Sequence, residues 1–492
     1  MQLKLKIFEF SAGRPIAILN GETAKKLNIH VGDRVLLSKF GDNVRALVDI
    51  SKDFIKQDEI AVSEEVLDLL NTSEGDTVEV GLADKPQSIL FIKKKIDGLK
   101  LSKEEISAII KDIVNNSLSE AEIAYFVSGV YKCGMTTQET EDLIWEMVAT
   151  GKRMHFEGDV VDKHSIGGIA ANRTTPIVVP ICAVAGLKLP KTSSRAITSA
   201  AGTADVIEVL SKVEFTVDEI KRIVEKTGAC MVWNGILGLS PADDKLIQAE
   251  RVLNLDPEAQ LLASVLSKKI AVGSKHVLID IPYGKSAKVD LRKGKVLKNK
   301  FEFFGKKFGL NLKAVLTKGD EPIGCGVGPI LEIRDVIKVL KREKDAPRDL
   351  EEKAIYLAGE ILELAGKAKK GKGKNLAKQI LESGKAFNKF KDIIDAQEGK
   401  VYSIEQLGSK LGKFKKDIFS SKTSKIREIN NKKVNFIASM AGCPADKGSG
   451  IYLNKHVGDK VKKGEKILTL YSETEIELKE AVKFYKKNKV II

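Results

Sequence analysis

Two polar loops carry the side chains of this sequence that are best suited to chemistry. The first, "DKHSIGGIAANRTTPIVV" (162–179), places Lys163, His164 and Ser165 before a Gly-Gly pair and then begins an apolar helix. Glycines let backbone N–H groups approach a ligand closely, and a helix start adds further unpaired N–H groups. Lysine contributes charge and serine a hydrogen bond, so this composition suits an oxyanion such as phosphate. The loop matches neither the P-loop nor the G-x-G-x-x-G pattern, which lowers the support for nucleoside triphosphates and dinucleotides.

The second loop, "KTSSRAITSAAGTAD" (191–205), carries six hydroxyl groups and one arginine among small residues. Small residues again allow close backbone approach, and neighbouring hydroxyls can bridge two oxyanion groups. Each loop lies at a predicted strand-to-helix junction, and open parallel sheets bind ligands at the carboxyl ends of their strands. Together the loops predict an enzyme that acts on a phosphorylated or phosphate-consuming substrate.

A third segment, "NLDPEAQLLASVLSKK" (254–269), offers a carboxylate and a hydroxyl–lysine pair. Asp256 followed by proline and glutamate is typical of a helix start, with Asp256 as the N-cap. Ser264 and Lys268 are four residues apart and share a helix face, which is either a binding face or a solvated one. The residues alone favour the capping role for Asp256.

Two further lysines, Lys285 and Lys288, follow the predicted strand "HVLIDI" (276–281). Both are expected to be exposed unless their loop lies over the carboxyl end of the sheet. In that position one of them could contact a phosphate group.

Neither a metal centre nor a redox centre is predicted. The histidines lack metal-ligand spacing, and no H-E-x-x-H or G-x-S-x-G motif occurs. The five cysteines lie far apart without a C-x-x-C pair, so we expect no disulfide framework and a cytoplasmic location. We therefore expect no metal and no cofactor.

Size and composition indicate a multidomain soluble protein. A chain of 492 residues suggests several domains, and 43% hydrophobic with 30% charged residues is ordinary for a globular protein. The longest apolar run, 177–187, is too short to span a bilayer, and the N-terminus lacks the pattern of a signal peptide. No membrane partner is expected.

The formal net charge of +15 favours anionic partners. Nucleic acid and small phosphorylated substrates both fit this charge. Aromatic residues make up only 6% and are not interleaved with basic stretches as a base-stacking surface requires, so we expect no nucleic acid. The basic run "GKAKKGKGKNLAK" (366–378) is interpreted as a solvated loop or helix end.

The loops must be positioned by a multidomain α/β architecture that begins with an internal repeat. Residues 17–38 and 60–81 align at an offset of 43 within a β-rich N-terminal domain, 1–84. Each copy is typical of a strand, a short helix, a Gly-Asp turn and a second strand, with Asn20 and Ser63 as equivalent helix N-caps. Two interlocked copies predict a small closed β-barrel of the double-psi type.

Three further domains are predicted. Residues 85–157 show helical periodicity and are expected to be joined by 241–272. Residues 158–420 alternate helices with short apolar strands, which predicts an α/β domain with a parallel or mixed sheet, and the two polar loops within it are expected to bind phosphate. Residues 424–492 are predicted to form a β-rich, hammerhead-like α+β domain in which 457–472 is a hairpin. The predicted strands of the α/β domain are 230–233, 276–281 and 312–317.

The combined motifs resemble those of the thymidine/pyrimidine-nucleoside phosphorylase family. The matching residues are "KHSIGG" (163–168), the stretch from Ser193 to Asp205, and the Ser264–Lys268 pair. The resemblance extends from about residue 85 to the C-terminus. The additional N-terminal domain and the form of the 191–205 loop resemble the nucleotide-phosphorylase branch of that family.

This resemblance implies phosphorolysis of nucleoside 5′-monophosphates, AMP and also CMP or UMP, to ribose 1,5-bisphosphate and free base. It implies a role in nucleotide degradation that feeds a ribulose-bisphosphate carboxylase pathway. Inorganic phosphate is then a co-substrate, no cofactor is needed, and the chain forms a homodimer or a higher oligomer.

The same resemblance implies site residues. Asp256 becomes the proton donor to the leaving base, a role that we rank above capping for this reason alone. The residues implied to bind the nucleotide are Gly168, Ser194, Arg195, Ala196, Ile197, Thr198, Ser199, Thr203, Ser264 and Lys288. The residues implied to bind phosphate are Lys163, Ser165, Ser193 and Thr203, with His164, Thr174 and Lys268 as secondary candidates.

Two departures from the nucleoside-cleaving members favour a nucleotide substrate. Ala249 occupies the position of an arginine that contacts the pyrimidine, and Ser199 replaces a histidine. Three alternatives remain: a nucleoside phosphorylase of the same fold, an anthranilate-type phosphoribosyltransferase, and a nucleic-acid-binding protein.

Overall fold

The computed structural model describes residues 1–8, 10–196, 199–488 and 490–491. The chain divides into two units, which are Met1–Gly151 with Ser240–Ser264, and Lys152–Leu239 with Val265–Ile492. Among the described residues, no helix combines the length and the apolarity that crossing a bilayer requires.

The N-terminal repeat forms a closed barrel with strand order β1-β5-β2-β4-β3-β6, which confirms the predicted β-barrel. Equivalent strands of the two copies pair with each other, β2 with β5 and β3 with β6, so the copies interlock. Asn20 caps the first helix by accepting a hydrogen bond from the Glu22 N–H at 2.9 Å. At the equivalent position, the Ser63 hydroxyl instead bonds the backbone of Arg14 and Ile16. The elements are β1 (Gln2–Ile7), β2 (Ile16–Asn20), α1 (Gly21–Leu27), β3 (Arg34–Lys39), β4 (Asp42–Ser51), β5 (Glu59–Val62), α2 (Glu64–Leu70) and β6 (Thr77–Leu82).

A helical group follows the barrel. Its elements are α3 (Ser88–Ile96), α4 (Lys103–Val114), α5 (Glu120–Cys133) and α6 (Thr137–Ala149). Capping boxes start the last three helices at Ser102, Ser119 and Thr136, so their first N–H groups are satisfied locally. Lys245 from the later segment of the same unit donates to the Ile113 carbonyl at 2.8 Å.

The next part of the chain supplies a parallel sheet. Its elements are β7 (Val161–Ser165), α7 (Thr175–Val184), β8 (Leu189–Ser193), α8 (Thr203–Ile207), α9 (Val217–Thr227), β9 (Ala229–Trp233), α10 (Pro241–Leu253), α11 (Glu258–Ala271), β10 (His276–Tyr283), α12 (Leu291–Lys307) and β11 (Asn311–Lys318). Parallel ladders join β11 to β10, β10 to β7, and β8 to β9. A parallel bridge between Val160 and Lys188 connects the two ladders. The predicted strands at 230–233, 276–281 and 312–317 are thus confirmed.

The remaining elements cover this sheet and build the C-terminal domain. They are β12 (Gly326–Val327), α13 (Pro329–Lys341), α14 (Arg348–Leu364), α15 (Gly373–Glu382), α16 (Lys385–Ala396), α17 (Ile404–Gly408), β13 (Phe414–Phe419), β14 (Ser424–Lys425), α18 (Asn431–Met440), β15 (Gly450–Leu453), β16 (Lys460–Val461), β17 (Lys466–Ser472) and α19 (Glu475–Lys487). Helix α7 is almost entirely buried and packs with α13, α14 and α16 in one apolar core.

The C-terminal sheet differs from the expected hairpin. Its order is β12-β15-β17-β13, so it uses strands that precede residue 424. Strand β16 pairs with β14, whereas β17 pairs with β13 and β15. The predicted hairpin within 457–472 is therefore wrong, because long-range pairing replaces the local turn that the Lys-Gly sequence suggested.

Candidate functional site

The polar loops of the second unit begin at one edge of the parallel sheet. Strand β7 ends at Ser165, β8 at Ser193 and β10 at Tyr283. Ser165 lies opposite Asp280 in the β7–β10 register. Because the carboxyl ends of parallel strands share an edge, this topology gathers the loops that contain most of the predicted site residues.

Gly168 brings the first loop into contact with the Lys288 loop. Its backbone has φ +87°, and a Cβ atom there would lie 2.6 Å from both the N and the Cβ of Lys288. Glycine is therefore required by space as well as by conformation. The exposed Lys288 lies beside an open depression of about 440 Å³ formed by residues 284–293. The Lys288 loop thus lies at the carboxyl end of the sheet.

Lys163 is a buried cation in the middle of β7. Its side chain is 2% exposed, and its Nζ donates to the Thr174 Oγ1 at 2.8 Å. Burial lowers the pKa of Lys163 to about 7, against the opposing attraction of Asp280. Thr174 is itself fully buried directly before α7. A negative charge placed beside Lys163 would favour its protonated form.

Further buried lysines pair with carboxylates of β7 and β10. Asp162 accepts from Lys191 at 3.1 Å and from Lys269 at 2.6 Å, and Lys353 pairs with Asp280 at 3.2 Å. Among the described residues of this edge, the buried lysines therefore exceed the carboxylates that they contact. Burial lowers the pKa of Lys269 to about 7 as well, so an anionic ligand beside these lysines would favour their protonated forms.

His164 is half-buried beside these cations. Burial, together with Lys269 and Lys191, holds the pKa of His164 well below its usual range. The imidazole is neutral at physiological pH and adds no charge to the site.

The hydroxyls of the second loop have different surroundings. The Ser193 Oγ is buried without a hydrogen-bond partner among the described residues. The Ser199 Oγ donates to the Ala201 carbonyl at 2.8 Å, and Ser194 is exposed. A buried hydroxyl that lacks a partner costs free energy, so Ser193 fits a site that a ligand completes. Predicted residues Ile197 and Thr198 lie outside the described residues.

Arg173 holds the second loop to the first, a role that the sequence did not reveal. Its guanidinium donates to the Thr203 Oγ1 at 2.8 Å and to the Ala201 carbonyl at 2.7 Å. Its Nε donates to the buried Glu332 at 2.7 Å. The arginine within "ANRTTP" was the available signal, but its partner Glu332 lies 159 residues away.

Asp205 folds the second loop back on itself. Its carboxylate accepts from the N–H groups of Ala196 and Gly202, both at 2.7 Å. A Cβ atom on Gly202 would lie 2.5 Å from the Ser194 carbonyl oxygen, so the turn requires glycine. These bonds fix the backbone that carries most of the predicted nucleotide-binding residues.

The Arg195 side chain is engaged by carboxylates. Its guanidinium donates to Glu208 at 2.8 Å and to Glu214 at 3.0 Å, and lies 4.8 Å from the Trp233 ring. Hydrogen bonding to Glu208 raises the pKa of Arg195, and the same bond lowers the pKa of Glu208 to about 2. With its side chain held in this way, Arg195 can offer a ligand its backbone.

The third predicted segment begins in the first unit. Asp256 is exposed two residues before α11, which begins at Glu258. Ser264 and Lys268 are half-buried on α11. Lys269, the neighbour of Lys268, is the residue whose side chain reaches Asp162.

No group of three or more histidine, cysteine, aspartate or glutamate side chains in the described parts of the chain could hold a metal ion.

The family models that match the chain define its class. Residues 90–151 match the helical bundle domain of the glycosyl transferase family, and 157–387 match its a/b domain. Residues 425–491 match the pyrimidine nucleoside phosphorylase C-terminal domain. The chain is thus an enzyme of the glycosyl transferase class that carries the C-terminal domain of pyrimidine nucleoside phosphorylases.

Relatives over the full length define the family. The chain is 44% identical to an AMP phosphorylase of Methanocaldococcus jannaschii, over 98% of this chain and 95% of the relative. It is 45% identical to that of Thermococcus kodakarensis and 43% identical to that of Pyrococcus furiosus, each over 98% of this chain and 96% of the relative. The chain belongs to the AMP phosphorylase family, which confirms the resemblance found in the sequence.

A solved structure of another activity shares the fold. Anthranilate phosphoribosyltransferase from Thermus thermophilus matches with a TM-score of 0.53 at 18% identity, over 62% of this chain and 99% of that chain. This match supports the helical-plus-α/β architecture.

Proposed function

We propose that this chain catalyses the phosphorolysis of nucleoside 5′-monophosphates, with AMP as substrate and CMP and UMP as further substrates. The products are ribose 1,5-bisphosphate and the free base. The observation that carries the proposal is that buried Lys163 and the Ser193 Oγ, which has no hydrogen-bond partner among the described residues, lie on strands that lead into the two polar loops. Relatives named AMP phosphorylase support the choice of substrate.

Inorganic phosphate is the proposed nucleophile. One of its oxygens forms a bond to C1′ while the C1′–N bond to the base breaks, through an oxocarbenium-like transition state. Lys163, Ser165, Ser193 and Thr203 hold this phosphate and stabilise its charge in place. Thr174 acts through Lys163, whose ammonium group it orients, and His164 remains a secondary candidate.

The nucleotide is proposed to bind on the loops at the same edge. The proposed contacts on these loops are Gly168, Ser194, Arg195, Ala196, Ile197, Thr198 and Ser199, and Thr203 and Ser264 complete them. Lys288 pairs with the 5′-phosphate, and its position against Gly168 supports this role. Lys268 is a secondary candidate for the same charge.

Asp256 is proposed to protonate the departing base, at N7 of a purine. A base leaves poorly as an anion, and a positioned acid contributes roughly 10²–10⁴-fold. The resemblance of residues 254–269 to the phosphorylase family supports this role.

Phosphate-dependent release of adenine from AMP, with the sugar product identified by mass, tests this proposal. We expect release to require phosphate and to yield ribose 1,5-bisphosphate. Faster turnover of adenosine or thymidine would support the nucleoside phosphorylase alternative instead. A requirement for Mg²⁺ and pyrophosphate would support a phosphoribosyltransferase, and salt-sensitive retention of nucleic acid on filters would support the nucleic-acid alternative.

The remaining proposals concern the setting of the reaction. We propose that the barrel has the double-psi topology and that the C-terminal domain is hammerhead-like. The enzyme works in the cytoplasm without a cofactor, as a homodimer or a higher oligomer, in a pathway that feeds a ribulose-bisphosphate carboxylase.

A further inference from the structure

One asparagine of the C-terminal domain contacts three loops at the carboxyl edge of the sheet. Asn431, the fully buried first residue of α18, accepts from the Ala170 N–H at 3.1 Å. Its Nδ2 donates to the Ser286 Oγ and to the Gly319 carbonyl, both at 3.1 Å. Its own N–H donates to the Ser286 Oγ at 3.1 Å. These partners belong to the loops that follow β7, β10 and β11.

Two of the three partner residues lie in the proposed substrate loops. Ala170 lies two residues after Gly168, and Ser286 lies two residues before Lys288. Asn431 therefore hydrogen-bonds to both of the loops whose close approach at Gly168 and Lys288 forms part of the proposed nucleotide site.

A second asparagine on the same helix face holds the remaining loop. Asn435 lies one turn after Asn431 and is 6% exposed. Its Oδ1 accepts from the Ala200 N–H at 3.2 Å. Ala200 lies between Ser199 and Ala201 in the second loop. The Ala201 carbonyl accepts hydrogen bonds from the Ser199 hydroxyl and from the Arg173 guanidinium. Lys447, also from the C-terminal domain, pairs at 2.9 Å with Glu208, which in turn holds Arg195.

Buried asparagines are costly in a helix, so their partners explain them. Asparagine is a poor helix former, and each buried N–H that lost its acceptor would carry an uncompensated desolvation cost. The other buried residues of α18, among them Val434 and Ile437, are apolar and pack in the core of the C-terminal domain. The same core includes Ala170 and Ala200 of the loops, and the two asparagines add hydrogen bonds to the backbone N–H groups of these residues.

We infer that α18 positions the substrate loops, with Asn431 and Asn435 as positioning residues for the nucleotide and phosphate sites. The inference rests on the proposed function, and it gives the C-terminal domain a direct part in substrate affinity. Neither side chain needs to touch the substrate; each fixes the backbone that does.

Asn435→Ala in the full chain tests this inference, with Ser439→Ala, an exposed position on the same helix, as the matched control. Adenine release gives kcat and KM, and calorimetry gives sulfate affinity. We expect the KM for AMP to rise about fivefold to tenfold, with kcat changed less than threefold, because one loop hydrogen bond is lost. Asn435→Asp keeps an acceptor oxygen and should bring KM back toward the wild-type value.

Amide hydrogen exchange provides a readout that does not depend on turnover. Peptides covering residues 199–202 should exchange faster in Asn435→Ala, and those covering 166–172 faster in Asn431→Ala, while peptides of the N-terminal barrel stay unchanged. Ser439→Ala should match the wild type throughout. Unchanged loop exchange, or faster exchange with unchanged KM and sulfate affinity, would overturn the inference.

These outcomes separate the two proposals. A wild-type enzyme that releases no adenine from AMP contradicts the proposed function, and loop exchange with sulfate affinity still decides the role of α18. An active wild type whose Asn435→Ala variant loses thermal stability but keeps KM contradicts the positioning role alone.

Discussion

Replacing Arg173 by methionine should destabilise the α/β unit strongly, because it leaves the buried Glu332 carboxylate without its cation. Glu332 is 1% exposed, and its described partners are the Arg173 guanidinium and the Gly328 N–H. Burial already raises the pKa of Glu332, and Arg173 opposes that rise. Without the cation, Glu332 will be protonated in the folded state.

The size of the stability loss follows from the free energy needed to protonate Glu332 in the folded variant. An ordinary glutamate has a pKa near 4.3, so protonating it at pH 7 costs about 4 kcal/mol. This value agrees with the cost of about 3–5 kcal/mol that is typical when one partner of a buried ion pair is removed. We therefore expect Arg173→Met to lower the free energy of unfolding by about 3–5 kcal/mol at pH 7.

The loss should depend on pH in a known direction. A carboxyl whose pKa is higher in the folded than in the unfolded chain binds a proton on folding, so stability falls as pH rises between the two pKa values. Relative to the wild type, the variant should thus regain up to about 1.4 kcal/mol for each unit that the pH is lowered from 7.5 toward 5.5.

Urea unfolding followed by circular dichroism at pH 5.5 and 7.5 measures both effects. Arg342→Met is the matched control, since Arg342 is exposed and pairs with Glu351 at the surface; its loss should stay below about 1 kcal/mol. The double variant Arg173→Met/Glu332→Gln should recover part of the stability. If Arg173→Met lowered the free energy of unfolding by less than about 1 kcal/mol, or by an amount that did not change with pH, the unpaired Glu332 carboxylate could not be the cause.

Four other predictions concern the proposed site. Asp256→Asn should lose most turnover while AMP binding by calorimetry survives, whereas equal loss of binding and thermal stability would favour the capping role. Lys288→Ala should raise the KM for AMP far more than for adenosine, and a uniform rise would exclude a 5′-phosphate contact. Gly168→Ala should weaken AMP binding and lower the free energy of unfolding by about 1–3 kcal/mol, because of backbone strain and contact with Lys288. Gly167→Ala is the control, since Gly167 has φ +83° but open space around it, and this variant should keep AMP binding. Similar losses of AMP binding in both variants would contradict the close contact between Gly168 and Lys288. Because the pKa of Lys163 is about 7 without a ligand, sulfate affinity measured by calorimetry should fall up to about tenfold per pH unit as the pH rises from 7 to 9. Lys163→Met should bind sulfate weakly at every pH in this range. A wild-type sulfate affinity that does not change with pH would contradict the role of Lys163.

The sequence predicted the local parts of this fold well. The apolar runs at 276–281 and 312–317 gave β10 and β11, and the repeat at 17–38 and 60–81 gave the barrel. These signals are short-range, because alternation of side chains and turn residues determines strands and helix ends locally. The family resemblance was carried by the loops at 162–179 and 191–205 and by the Ser264–Lys268 pair.

The interactions that fix the site were not predictable in this way. Glu332 and Asn431 lie in helices where a polar residue is typical of a solvated face, yet each is buried against a loop far along the chain. The expected hairpin at 457–472 was wrong for the same reason, since distant strands outcompete a local turn. Long-range polar contacts leave no periodic signal in one sequence.

A crystal structure of the enzyme with AMP and sulfate bound would show directly whether the two polar loops hold phosphoryl groups. We expect sulfate at Lys163 and Ser193, with the 5′-phosphate of AMP on the loop that contains Lys288. A structure in which AMP binds away from the carboxyl edge of the sheet, with no anion on either glycine-rich loop, would contradict this expectation.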